Sequence, residues 1–473
     1  MADVLDQQYQ VLLTSSPLQR VGAFALASLA GVPHPDQLTV DLFKSAVDKM
    51  TRHLLATAEV AKSADPGGFW LGASYMLWPN SKMNPTARGK QLPDQRRQLI
   101  REWRDWRGLP EPAAWPAVPC AYCDRPACKW FGKVDIPLGA SVEHRNTTAP
   151  GHEGTPLCYS CVASLWAFPY GASLSGGRAA VIHSWDDAFL APVTRLAVKR
   201  TLAKAQALPV KTKAQPLWYA RELAVLEAAR SYDRRIHSGV ELIVLSNSNK
   251  EQFLRVQEMG QPIAEWLRST TTRTDRRAGY RVLVAAQASK TVPGEAFLAK
   301  RAFSDPAAVL HRTAAHLLGR VSAEGVLPAE APGLAPLVYS YCIEVLNMDE
   351  KDVARIKDLA SRLAALLGQD SRPGPFGGFM RANAKGGDLY GWFRSQSVQW
   401  LLKTRPKDMP RTLLPVEDYR LLFDDERAWS HRRLLVFAVM EALVEAGWQP
   451  KGSAEELEDI ADVAESLVDE ETN

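Results

Sequence analysis

The chain reads as an α+β protein: a mainly helical N-terminal region, a central mixed α/β region built round four cysteines, and a C-terminal helical bundle. Three observations predict this. Apolar residues recur at three- and four-residue spacing toward both ends, the period of an amphipathic helix. Runs rich in β-favouring residues, such as Val240 to Leu245, are confined to the middle. Two close cysteine pairs, Cys120-Ala-Tyr-Cys123 and Cys158-Tyr-Ser-Cys161, stand thirty-four residues apart within that middle part.

Residues 1–117 form the first region. Leu18 to Leu29 is an apolar, Ala-rich helix, and Leu38-Thr39-Val40-Asp41 leads into a second helix with Thr39 placed to cap it. The pattern then breaks at Pro79-Asn80-Ser81-Lys82-Met83-Asn84-Pro85, a turn-rich loop bounded by prolines. Such a loop either satisfies its own backbone or offers amide and ammonium groups to base edges and phosphates. Residues 118–325 carry the cysteines and the strand candidates Ala179 to His183, Val240 to Leu245 and Tyr280 to Ala285, in a small mixed sheet. Helices are expected at Leu217 to Ala229 and Phe253 to Leu267. Residues 326–473 should be helical: Asp352 to Leu367, then a Gly- and Pro-rich loop from Gly368 to Gly387, then Leu389 to Leu402, Arg432 to Ala446 and Ala454 to Val468. Short connections favour antiparallel neighbours in a bundle of four or five helices.

The cysteine pairs predict one structural zinc knot with Cys120, Cys123, Cys158 and Cys161 as ligands. A two-residue spacer lets both sulfurs of a pair turn toward one metal, and four thiolates fill its tetrahedral shell. No position is left for a metal-bound water, so the knot would build structure and not hydrolyse anything. Redox thiols are the competing reading, but Pro119 precedes the first pair where a redox motif would open a helix. Cys128 could replace Cys123, and His144 or His152 could ligate. Cys342, in the apolar run Leu337 to Leu346, reads as a buried small hydrophobe.

At 473 residues the chain can hold two to four domains with proper cores. No stretch approaches twenty uncharged apolar residues, and Met1 to Gln10 lacks a basic-then-apolar leader pattern. A soluble protein of a reducing compartment, cytoplasmic and without a membrane partner, is the expectation. Net charge is only +4, but Ala454 to Asn473 hold nine acids and no Lys or Arg. Between Asp187 and Glu222 stand seven bases and no acid: Arg195, Lys199, Arg200, Lys204, Lys211, Lys213 and Arg221. Further clusters are Arg268, Arg273, Arg276, Arg277 and Arg281, and the run Arg88, Lys90, Arg96, Arg97, Arg101, Arg104 and Arg107. Solvated helix faces would carry such charges; so would a polyanion-binding surface, whose affinity comes from released counterions. Three clusters in one chain favour nucleic acid, with Trp103 and Trp106 as candidates to stack on unpaired bases.

Motifs for catalysis are missing: there is no GxxxxGK[ST], HExxH, GxSxG or helix-opening GxGxxG. His183-Ser184-Trp185-Asp186-Asp187 sets a base beside carboxylates, as a metal-dependent nuclease would, but adjacent aspartates point to opposite sides and no second acidic cluster accompanies them. The expectation is a protein that is not an enzyme.

The order of features resembles a known family. Ser16-Pro17-Leu18-Gln19-Arg20-Val21-Gly22, Leu38-Thr39, Pro79 to Pro85, Cys120-x-x-Cys123, Ile136-Pro137-Leu138, Leu157-Cys158-x-x-Cys161 and Trp166-Ala167-Phe168-Pro169-Tyr170-Gly171 follow one another. This order resembles that of the CXXC-CXXC large subunits of the type I-B, and related I-A, CRISPR Cascade interference complex. The resemblance implies a non-catalytic subunit that inspects the protospacer-adjacent motif in duplex DNA, promotes R-loop formation and holds the displaced strand, while the guide reads sequence by base pairing. Its partners would be guide CRISPR RNA, Cascade backbone subunits, double-stranded target DNA with its displaced single strand, and a helicase-nuclease or transposition proteins. On this reading Asn80, Lys82, Asn84, Arg88 and Lys90 approach the flanking motif. Arg195, Lys199, Arg200, Lys204, Lys211, Lys213, Arg273, Arg276 and Arg277 follow the DNA. The C-terminal bundle resembles the small subunit, which internal translation from Met348 would release as a 126-residue product, with Met380 as the second candidate start. The readings from other classes are a zinc-containing DNA-binding adaptor or regulator outside Cascade, and a nuclease using Asp186 and Asp187.

Overall fold

The computed structural model describes residues 2–85, 93–139, 154–207, 218–248, 252–324, 329–384, 387–404 and 406–451. The chain divides into two compact units: Met1–Arg221 with Ser238–Glu258, and Glu222–His237 with Met259–Asn473. The three-part division expected at 117 and 325 differs from this. The strand pair after Ser238 belongs with the first unit, because it completes a sheet begun much earlier in the chain.

In the first unit a short helix α1 (Ala2–Gln7) precedes α2 (Pro17–Ala30) and α3 (Val40–Ala56). Local chemistry sets their bounds: Ser16 accepts from the Gln19 N–H with Pro17 in the first turn, Gly31 closes α2 at φ 84°, and Thr39 accepts from the Leu42 N–H. Next come α4 (Phe69–Leu77) and α5 (Pro93–Arg107), then a two-stranded ribbon of β1 (Lys129–Phe131) and β2 (Thr155–Leu157), paired antiparallel. Helix α6 (Tyr159–Ala167) is buried along its whole length. It can lie against α2 because Gly22 carries no side chain: a Cβ there would stand 1.9 Å from the Ser164 carbonyl oxygen. The main sheet has four strands in the order β3 (Ser173–Ser175), β4 (Arg178–Ser184), β5 (Val240–Asn247) and β6 (Gln252–Met259). Gly176 and Gly177, both at positive φ, turn β3 into β4, as a tight hairpin requires. Between β4 and β5 runs α7 (Asp187–Gln206), capped by the Asp186 carboxylate. Val181, Ile243 and Leu245 of the sheet share a core with Phe24, Leu77 and Trp103.

The second unit is helical: α8 (Ala220–Ser231), α9 (Gln261–Thr272), α10 (Thr274–Gln287), α11 (Gly294–Ser304), α12 (Ala307–Glu324), α13 (Ala331–Glu344), α14 (Glu350–Leu367), α15 (Pro373–Ala384), α16 (Gly387–Gln399), α17 (Val416–Phe423) and α18 (Ala428–Glu445). Leu434, Leu435, Phe437, Val439, Met440 and Leu443 bury α18 on several sides, so it is the central helix, with α13 and α14 against it. The α+β class therefore holds, with helices dominant.

Several local expectations are corrected. Tyr280 to Ala285 is not a strand but lies in α10, where Arg276, Tyr280, Leu283 and Gln287 are buried at helical spacing. Phe253 to Leu267 is not one helix: it starts in strand β6, and Gly260 and Pro262 begin α9. Gly368 to Gly387 is not simply a loop, since Pro373 opens α15 at the one helical position that needs no N–H. The segment Ala454 to Val468 lies outside the described residues.

Candidate metal centre and nucleic-acid face

The first cysteine pair sits on a tight turn. The Asp124 N–H donates to the Cys120 carbonyl at 3.0 Å, Asp124 takes φ 62°, and the Tyr122 N–H points at Cys120 Sγ from 3.5 Å. The flanking chain pairs around it through Ala127 to Val118 and Cys128 to Leu157. The second pair occupies the start of α6: Cys158 is its cap residue and Cys161 lies in the first turn, where unbonded backbone N–H groups favour negative sulfur. Knuckle, ribbon and helix thus deliver sulfurs from two sides. All four Sγ atoms lie within 4.8 Å of one another, and Cys123 Sγ is 3.4 Å from Cys158 Sγ.

Electrostatics tell the same story. Cys120 is held well below the usual thiol range by hydrogen bonds from Cys123, Cys158 and Cys161. Cys158 and Cys161 are pushed far up, first by Cys120 and Cys123. Cys123 is drawn down to about 7, Cys120 opposing its ionisation and Cys158 and Cys161 favouring it; thiolates at two positions suppress ionisation of the others, and only a shared cation lets all four ionise together. A tetrahedral metal with sulfur at ~2.3 Å has S···S edges of roughly 3.8 Å, so the 3.4 Å pair must open slightly and the wider pairs close by at most about 1 Å. Cys128 stays out of the group; burial pushes its thiol up to about 12, and it packs in the core with Phe131 and Leu157. Cys342 is buried, as expected. His144 and His152 lie outside the described residues.

The frame around the cluster uses residues that carried no sequence signal. Buried Gln8 donates to the Pro126 carbonyl at 2.9 Å and accepts from the Tyr159 N–H at 2.7 Å, tying the knuckle to α6. Arg125 reaches back to the Gln7 and Gln10 carbonyls at 2.8 and 2.6 Å. Gln19, inside the Ser16 to Gly22 motif, holds Thr14 and the Leu12 carbonyl. Arg107 stacks on Trp166 at 4.3 Å and is pulled down to about 10 by burial. Single glutamines and arginines have no pattern from which such roles could be read.

The loop after α4 splits in two. Asn80 and Lys82 are exposed, and Asn80 adopts φ 62°, a conformation asparagine tolerates. Asn84 is a correction: it is buried, accepting from Ser74 Oγ at 2.5 Å and donating to the Trp78 carbonyl, so it holds the loop and does not face a ligand. Arg88, Lys90, Lys211 and Lys213 lie outside the described residues. Trp103 and Trp106 are also corrected: both are buried, and Trp106 donates to Asp135 at 2.7 Å, so neither offers a ring for stacking.

The basic clusters differ in kind. In the second unit Arg268 is bound by Glu265, Arg273 by Asp275 at 2.9 Å, and Arg277 by the Thr271 carbonyl. Arg276, expected on the DNA, is buried and bound by Glu344 and Ser269. Three of that cluster's five arginines are thus paired with acids of the same unit, while Arg277 meets a neutral carbonyl and Arg281 is exposed. Arg195, Lys199, Arg200 and Lys204 are all exposed on α7, a helix whose only acid, Asp187, pairs with Arg20. Asp186 is spent as the cap of the same helix, and among the described residues the four cysteines form the one group of three or more side chains suited to hold a metal ion. The carboxylates suggested for a nuclease are not assembled there.

Among the described residues, no helix is long and apolar enough to cross a membrane. Compared with known proteins, the chain matches no family model, no curated protein and no solved structure.

Proposed function

We propose that this protein is a non-catalytic large subunit of a type I CRISPR RNA-guided DNA surveillance complex, with one structural zinc on Cys120, Cys123, Cys158 and Cys161. The observation that carries the reading is the joining of motifs scattered over more than 150 residues of sequence. The two cysteine pairs close into one centre, and the Ser16 to Gly22 and Trp166 to Gly171 motifs pack together through Gly22 and Gly171. Four sulfurs with no open position suit zinc, which adds no redox chemistry and prefers tetrahedral thiolate sites. When bound, it would fix the ribbon to α6 and supply no reaction step. The exposed Asn80 and Lys82 would meet the flanking motif, and the acid-free face of α7 would meet phosphate.

Co-expression with guide RNA and candidate backbone subunits encoded beside this gene tests the reading. Joint purification, with tight binding to a target that bears the flanking motif and guide complement, is expected. A protein that never joins such a complex, or that cleaves DNA alone with magnesium or manganese, would overturn it.

A further inference from the structure

Helix α7 carries its charge in a specific arrangement. With a turn of about 100° per residue, Arg195 and Lys199 lie near 0° and 40°, and Arg200 and Lys204 near 140° and 180°. Between these two rows runs a ridge of Pro192, Leu196 and Ala203, all exposed, with Leu196 at 46 %. The opposite side is buried through Leu190, Thr194, Val198 and Thr201. The helix is therefore fixed in rotation, and both basic rows face outward together, about 13 Å long from Arg195 to Lys204.

Within each row the bases stand four residues apart, Arg195 with Lys199 and Arg200 with Lys204, where like charges repel and work against the helix. Among the described residues no acid relieves this. No acid occurs from Ala188 to Arg221, and none of the four bases has an ion-pair partner among the described residues. An external polyanion with two rows of charge would.

We propose that α7 lies in the major groove of B-form DNA, with Arg195 and Lys199 on phosphates of one strand and Arg200 and Lys204 on phosphates of the other. The proposal rests on the nucleic-acid reading above, and adds the form of DNA, the element that grips it and the number of strands gripped. Duplex is favoured over single strand because the exposed ridge holds no aromatic ring, and single-strand surfaces work by stacking bases on such rings. DNA is favoured over duplex RNA because the ~12 Å major groove of B-DNA admits a helix, whereas that of A-form RNA does not. Contacts of this kind position a duplex without reading its sequence.

The test uses the full chain alone, without guide RNA, and labelled 25-base-pair duplex, single strand and duplex RNA. In the variant Arg195→Gln/Lys199→Gln/Arg200→Gln/Lys204→Gln, the slope of log affinity against log salt should shrink by roughly 3 to 4 for duplex DNA. Wild type should then lose on the order of a hundredfold more affinity than the variant between about 50 and 200 mM salt. The variant's melting temperature should hold or rise, since repulsion has been removed. Phosphate-ethylation interference should map to both strands, and each two-residue variant should erase one strand's signal. Equal salt slopes, single-strand binding as tight as duplex, signal on one strand only, or loss of binding only to an acidic polypeptide would each overturn the proposal. The two readings fail separately. A variant that keeps the wild-type slope while the protein still assembles with guide RNA sinks the role of α7 alone. Failure to assemble with guide RNA, with duplex grip intact, sinks the Cascade reading alone.

Discussion

Removing one sulfur from the cysteine cluster should unfasten the first unit by an amount the structure allows to be worked out. In Cys161→Ser the metal loses a ligand that sits in the first turn of α6, a helix buried along its whole length. With the metal treated as a cross-link between Cys123 and Cys158, it closes a loop with thirty-four intervening residues. Chain entropy then assigns the clip ~4 kcal/mol of stability, as for a disulfide closing a loop of that size. For a unit of 150–250 residues this is a fall in melting temperature of roughly 8 to 16 °C. Calorimetry with metal analysis is the assay. Wild type should carry one zinc, a strong chelator should reproduce the shift of Cys161→Ser, and the transition of the second unit should not move. Cys128→Ser should keep its metal, because Cys128 is packed in the core and stands apart from the cluster. Wild-type protein that carries no metal and melts unchanged under chelation would refute the reasoning. So would loss of metal from Cys128→Ser but not from Cys123→Ser.

Other outcomes follow from single contacts. Asn84→Ala should cost about 1–2 kcal/mol, since it removes the two side-chain hydrogen bonds that hold the loop, from Ser74 and to the Trp78 carbonyl, and weaken all DNA binding alike; Lys82→Ala should leave stability unchanged, Asn80→Ala should cost roughly 1 kcal/mol because alanine fits φ 62° poorly, and both should reduce affinity only for targets bearing the flanking motif. His53, His183 and His431 are each held below 6.5, first by burial, so the unfolded chain takes protons that the fold refuses. Stability should be complete above about pH 6.5 and fall below it, and urea midpoints at pH 7.5 and 5.5 should differ less in His183→Gln. Arg362→Met should destabilise the second unit by at most ~3–5 kcal/mol, because it removes the 2.7 Å partner of buried Asp418 and leaves only Arg355 at 3.5 Å, while zinc content is unchanged by metal analysis. A co-purifying product starting at Met348 should appear by mass spectrometry if the C-terminal helices are also made separately, and its absence would refute internal initiation.

What the sequence discloses depends on how far the deciding partner lies along the chain. The cap of α3 was legible because Thr39 acts on an N–H group three residues away. The cysteine pairs were legible because each pair is local, and the four-thiol chemistry joins the pairs whatever lies between. Strand β6 was not, because Leu254 and Val256 are exposed at its centre, so its apolar residues do not mark a buried face. Nor could six residues from Tyr280 separate a strand from one face of a helix, a distinction set by Leu283 and Gln287 falling on the same buried side as Tyr280. Asn80 and Asn84 are the same residue type four positions apart, yet one is exposed and the other is fixed by Ser74, ten residues earlier.

The same distance argument separates the arginines. Arg276 and Arg195 look alike in sequence, each within a basic run. Arg276 is neutralised by Glu344, sixty-eight residues on, a partner that only the packing of α10 against α13 brings within reach. Arg195 belongs to a helix whose one acid is already committed to Arg20, so its charge stays on the surface. A basic cluster is therefore evidence of a polyanion partner only where the fold has left it unpaired. By that criterion α7 carries more weight for DNA binding than the cluster of the second unit, where Arg268, Arg273 and Arg276 are paired with acids.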